Sequence, residues 1–151
     1  MVHTFVNVYP NVRPEEYQDV YDWLNQSSDT TNTDIAATLV SIYGSRQDYV
    51  KAIHKFSTKD MVIKYGSSGQ SCSYEPLLAN NIKVRNSIDI KVRNSKISNI
   101  NVKLYTEKNG FEKLAGLEEC LNCAVSVFYR SSGIDNITKS LNVYVGSINN
   151  I

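Results

Sequence analysis

The hexapeptide Ile-Lys-Val-Arg-Asn-Ser occurs twice without change, at residues 82–87 and 90–95, a spacing of eight. Eight is even, so in an extended chain both copies present the same side chains to the same side. Ile82, Val84, Ile88, Ile90 and Val92 then share one face, and Lys83, Arg85, Lys91 and Arg93 share the other, with Asp89 between them. Such alternation marks a long half-buried strand or a hairpin whose wet face is basic. A strand read over 81–93 and another over 99–105, joined by a turn at 94–98, would set Val92 opposite Ile100, Ile90 opposite Val102 and Ile88 opposite Leu104. That register keeps one side of the pair wholly apolar.

The rest of the chain supplies partners for this sheet. Residues 4–9 alternate Thr4, Val6, Val8 against Phe5, Asn7, Tyr9 and read as a strand, as do 61–65, 124–130 and 141–147. Pro14-Glu15-Glu16 opens a helix with Tyr17, Val20, Tyr21 and Leu24 as its apolar stripe. Asp34 or Thr33 caps a second helix with a face of Ile35, Leu39, Ile42 and Tyr43, stopped by Gly44. Ser45 and Asp48 start a third helix with Tyr49, Val50, Ile53 and Phe56 inward, and Phe111, Leu114, Leu117 and Leu121 suggest a fourth. Residues 66–81 carry no periodicity and read as a long loop. The expected fold is a single α+β domain over 1–151, a mainly antiparallel sheet of about six strands with three to four helices packed on one face. A 17.0 kDa chain with 42% apolar residues is large enough for one real core and too small for two comfortable domains.

Chemistry is sparsely signalled. Cys120-Leu121-Asn122-Cys123 is a C-x-x-C, and with Cys72 and His54 it would make a Cys₃His zinc set. A zinc knuckle normally has a second close pair, which is missing, so the thiols are expected to be small buried groups with no metal and no cofactor. A redox dithiol would open a helix after a strand, whereas here helical residues precede the pair. His3 and His54 lack the hydroxyl residue two places on that a paired-histidine phosphodiester site needs; Phe5 and Phe56 stand there instead. Adjacent Glu15-Glu16 and Glu118-Glu119 diverge on a helix and read as solvated faces. Gly66-Ser67-Ser68-Gly69 lacks the Gly-Lys-Ser/Thr ending of a phosphate loop. No catalytic residue is assigned.

Net charge of +1 gives no global field towards nucleic acid or membrane. There is no apolar run long enough to span a bilayer and no basic-then-apolar leader at the start, so a cytoplasmic protein with reduced thiols is expected. Asn and Ser make 33 of 151 residues, a bias that suits an AT-rich genome such as many viruses and phages carry. Ten tyrosines suit contact surfaces. These features together lead to a non-enzymatic assembly protein, a virion component if viral, with other protein subunits as partners in a homo- or hetero-oligomer. The alternative is a small RNA- or single-strand-binding protein whose basic face is Lys83, Arg85, Lys91 and Arg93, joined by Lys103.

Overall fold

The computed structural model describes residues 2–66, 70–78, 87–93, 100–105 and 116–150. Six strands form an antiparallel sheet in the order β2-β1-β7-β8-β5-β6: β1 (Val2–Tyr9), β2 (His54–Ser57), β5 (Ser87–Arg93), β6 (Ile100–Tyr105), β7 (Ala124–Ser131) and β8 (Leu141–Asn150). A separate hairpin pairs β3 (Met61–Tyr65) with β4 (Gln70–Tyr74). Three helices, α1 (Tyr17–Asn25), α2 (Asp34–Tyr43) and α3 (Arg46–Ala52), fill the stretch between β1 and β2. The fold is α+β.

The sheet curls until its two edges meet. Ser57 of β2 donates its N–H to Glu75 at 2.9 Å, Leu78 donates to Ser57 at 3.0 Å, and Leu78 forms a single antiparallel bridge to Leu104 of β6. Residues 75–78 thus splice β2 to β6, and the wall becomes a small barrel. Its interior holds Val6, Val8, Phe56, Leu78, Ile90, Val92, Val102, Leu104, Val125, Val127, Tyr144 and Ile148, with Leu117, Cys120 and Cys123 at one end. The opposite phase of β1 and β7 points outward into a second core. There Phe5 and Phe128 stack at 4.9 Å, under the three helices and the β3–β4 hairpin. Every residue of β1 from Phe5 to Tyr9 is buried because both sides of the strand are covered.

The β5–β6 register is the one the apolar pattern requires: Ile88 opposite Leu104, Ile90 opposite Val102, Val92 opposite Ile100. Residues 82–86 of the repeated segment and the turn at 94–98 lie outside the described residues. β8 carries one extra residue between its pairings to Val127 and Phe128, a bulge that sharpens the curl. Gly146 is where β5 comes closest, since an added Cβ would lie 2.6 Å from the Arg93 carbonyl and 2.9 Å from Val92.

Several elements differ from the sequence expectation. Phe56 belongs to β2 and pairs with Val6, and α3 ends at Ala52. The Lys55 ammonium donates to the carbonyls of Val50 and Ile53, satisfying the helix end, and Ile53 is already extended. Met61–Tyr65 lies in the hairpin rather than the main sheet, and its partner β4 arises inside the segment read as a loop. Ile42 is 55% exposed, although Ile35 two turns earlier on the same side is buried with Ala36 and Leu39. Thr33 supplies the cap, accepting the Ala36 N–H at 3.3 Å. Of the expected fourth helix, Phe111 and Leu114 lie outside the described residues, and the described part is a 3₁₀ turn, Leu117–Cys120, with Leu121 exposed beyond it.

A buried polar chain ties the outer core together. Tyr65 and Tyr74 share a hydroxyl bond of 2.9 Å, and Tyr74 donates to Asn7 Oδ1 at 2.6 Å. Asn7 Nδ2 donates to the Tyr9 hydroxyl at 3.1 Å, which lies 2.9 Å from Ser126 Oγ. Each of these polar groups is thereby satisfied in a place where an unpaired one would cost about 1–3 kcal/mol.

Candidate functional site

The end of β1 leads into the turn Pro10-Asn11-Val12, in which Asn11 takes a left-handed φ of 62°. The Tyr49 hydroxyl donates to the Pro10 carbonyl at 2.8 Å, Asn11 Nδ2 donates to the Tyr43 hydroxyl at 2.8 Å, and Val12 accepts the Ala124 N–H at 2.7 Å. The turn is thus pinned to α2, α3 and β7 at once. Against it sits a second turn. Leu121 has φ −57° and ψ 133°, Asn122 has φ 69°, and Cys123 N–H bonds the Cys120 carbonyl at 3.0 Å. Those values make Cys120–Cys123 a type II β-turn, with Asn at the position that needs a positive φ.

The two turns enclose a sulfur site. The Cys120 thiol donates to the Gly116 carbonyl at 3.9 Å, and the Cys123 sulfur lies beside that thiol and the backbone N–H groups of Asn11 and Val12. The Cys123 thiol is pulled down to about 6, chiefly by the Cys120 hydrogen bond and then by the two backbone amides, against the opposing push of burial. Beside it opens a hollow of about 230 Å³ lined by Asn11, Tyr43, His54, Gly116, Glu119 and Cys120. Cys72 is elsewhere, on β4 in the outer core, where burial pushes its thiol up.

The residues singled out in the sequence are therefore dispersed. Of the Cys₃His set, His54 and Cys120 line one hollow, Cys123 adjoins it, and Cys72 belongs to a different core. Among the described residues no group of three or more His, Cys, Asp or Glu is arranged to hold a metal ion. His3 and His54 lie five pairing positions apart along β1, roughly 16 Å, so they do not converge. Glu16 accepts the Arg13 N–H in the first turn, and Glu15 is exposed.

On the outer face of β5, Lys91 and Arg93 are exposed while Ile90 and Val92, which alternate with them, are buried. Lys83 and Arg85 lie outside the described residues. Lys103 of β6 is half-buried, and the register places it opposite Asp89; Lys91 and Arg93 are the exposed cations of this face among the described residues. At the barrel end away from Cys120, the inward phase of β7 continues from Val125 and Val127 to Tyr129. Tyr129 is 45% exposed and stands directly opposite Leu141 of β8, which is 64% exposed. The sequence does not foretell this apolar rim, because alternation in β7 gives no hint of where the enclosed core stops. Beyond the C-x-x-C, the sulfur site escapes a reading of the sequence because the rest of its surroundings are backbone amides. The one available signal is an Asn after Pro10 and another inside the C-x-x-C, the residue type that best tolerates a left-handed backbone after Gly.

No family model matches the chain, and no curated protein or solved structure resembles it at a significant level.

Proposed function

We propose that the protein is a non-enzymatic subunit that works through protein–protein contact. The observation that carries this reading is the Tyr129–Leu141 rim. Two large apolar side chains sit face to face across neighbouring strands, both in the inward phase of the barrel wall, and both remain in solvent. An exposed aromatic and aliphatic pair of this kind is what a partner surface covers. Two hollows among the described residues are about 230 Å³ each, below the roughly 300–1,000 Å³ usual for small-molecule sites. No helix of the described residues is long and apolar enough to cross a membrane; a cytoplasmic setting is part of the proposal. A virion as the assembly rests on the Asn/Ser bias alone.

Light scattering over a wide concentration range tests it. The expected result is a mass above the 17.0 kDa of one chain, falling to that value in the double variant Tyr129→Ser, Leu141→Ser with circular dichroism unchanged. A single chain at all concentrations, with no partner recovered, would sink the idea. The second reading, binding of RNA or single-stranded DNA, draws on the exposure of Lys91 and Arg93 on one face. It requires that Lys91→Ser, Arg93→Ser weaken binding and lower the salt dependence by about two counterions.

A further inference from the structure

We propose that Cys120 and Cys123 form a reversible dithiol–disulfide pair, oxidised by a low-molecular-weight disulfide. The type II turn holds its first and fourth Cα atoms within about 7 Å, and a disulfide spans about 4.4–6.8 Å. Cys120 and Cys123 occupy these two positions, with the Cys123 N–H bonded to the Cys120 carbonyl at 3.0 Å and both side chains buried in the same core. A bridge across the turn is therefore within reach of its backbone. Leu121 and Asn122, at the tip of the turn, are exposed, and the adjoining hollow is open at Cys120. The hollow and the exposed tip are the side from which a small disulfide approaches the pair, whose sulfurs are themselves buried.

The chemistry divides between the two thiols. Cys123, held as a thiolate by the Cys120 thiol and by the Asn11 and Val12 amides, is the attacking group. It displaces one sulfur of the external disulfide, forming a mixed disulfide and releasing one thiolate. Cys120 then loses its proton to the second departing thiol and attacks the Cys123 sulfur. One external S–S bond is broken, one internal S–S bond is formed, and two external thiols leave. Here the thiolate is stabilised by an apposed backbone turn, so no helix start is needed. The product has a neutral sulfur where Asn11 and Val12 had an anion to bind, so oxidation loosens the turn that is bonded to Tyr43 and Tyr49.

The full chain is equilibrated with mixtures of reduced and oxidised glutathione, quenched with acid, unfolded, alkylated and digested. The expected result is a peptide in which both Cys120 and Cys123 resist alkylation and carry no glutathione, while Cys72 is labelled throughout. In native protein the alkylation rate of Cys123 should rise with a midpoint near pH 6, and Cys120→Ser should move that midpoint upward and trap glutathione on Cys123. Full labelling of both cysteines in the most oxidising mixture, or glutathione adducts without an internal bridge, would overturn the proposal. The glutathione titration needs no variant, so it decides the matter even if the Cys120→Ser chain folds poorly.

Discussion

Arg46 stands in the first turn of α3, the end of a helix where the dipole disfavours a cation. It is there for a different reason. Its Nη1 reaches back to three carbonyls at the end of α1 and beyond it, Trp23 at 3.0 Å, Gln26 at 2.9 Å and Ser28 at 3.0 Å. Those acceptors sit in a part of the chain that no helix or strand satisfies, and the guanidinium answers all of them while buried. Arg46→Met keeps the apolar stem and removes the donor. The expected cost is about 1–3 kcal/mol, chiefly from the buried Trp23 carbonyl left without a partner, since the Gln26 and Ser28 bonds are only part-buried, read as a fall in the denaturation midpoint at unchanged slope. A change within about 0.5 kcal/mol, the range of an ordinary surface substitution, would show the clamp to be incidental.

At the level of elements, β5 and β6 carry the clearest test. Val92 is fully buried in the barrel interior, while Lys91 beside it points to solvent. Val92→Asp should cost several kcal/mol, because an unpaired carboxylate would be sealed among aliphatic groups, and against a total stability of about 5–15 kcal/mol the domain should unfold. Lys91→Ser should leave the denaturation midpoint within about 0.5 kcal/mol of the parent. The reverse ranking would mean the register is wrong. That register is legible in the sequence because polar and apolar residues alternate strictly over the pair. β2 is not, because Ile53 and Phe56 keep helical spacing across the point where the backbone turns extended. β4 is hidden by its composition: Ser71 and Ser73 alternate with Cys72 and Tyr74, too few apolar positions to register as a strand. The sulfur site has no signature beyond the C-x-x-C, since its donors are amides from a turn far away in sequence.

Over the whole molecule, the buried tyrosines make stability depend on alkaline pH. Tyr9, Tyr65 and Tyr74 are held above their ordinary value of 10, in each case mainly by burial, and Tyr9 is pushed up to about 12. A raised folded value favours the protonated form, so this stability is intact below pH 10 and is lost as pH rises from 10 towards 12. Two units at Tyr9 correspond to about 3 kcal/mol. Tyrosinate absorbance should therefore rise together with the loss of far-ultraviolet circular dichroism in one cooperative step. Independent titration of these tyrosines near pH 10 in a still-folded protein would contradict the buried chain.

The splice at residues 75–78 has a topological consequence. A closed wall has neither a first nor a last strand, and so offers no row of unpaired amides to a neighbour. Among the described residues, closure rests on a single bridge to β6 and a few hydrogen bonds to β2. Parting that splice would turn the ring into a ribbon with two bare margins, each able to take up a strand from another copy. The weakest link in the wall is therefore also the place where this chain is best protected from its own kind.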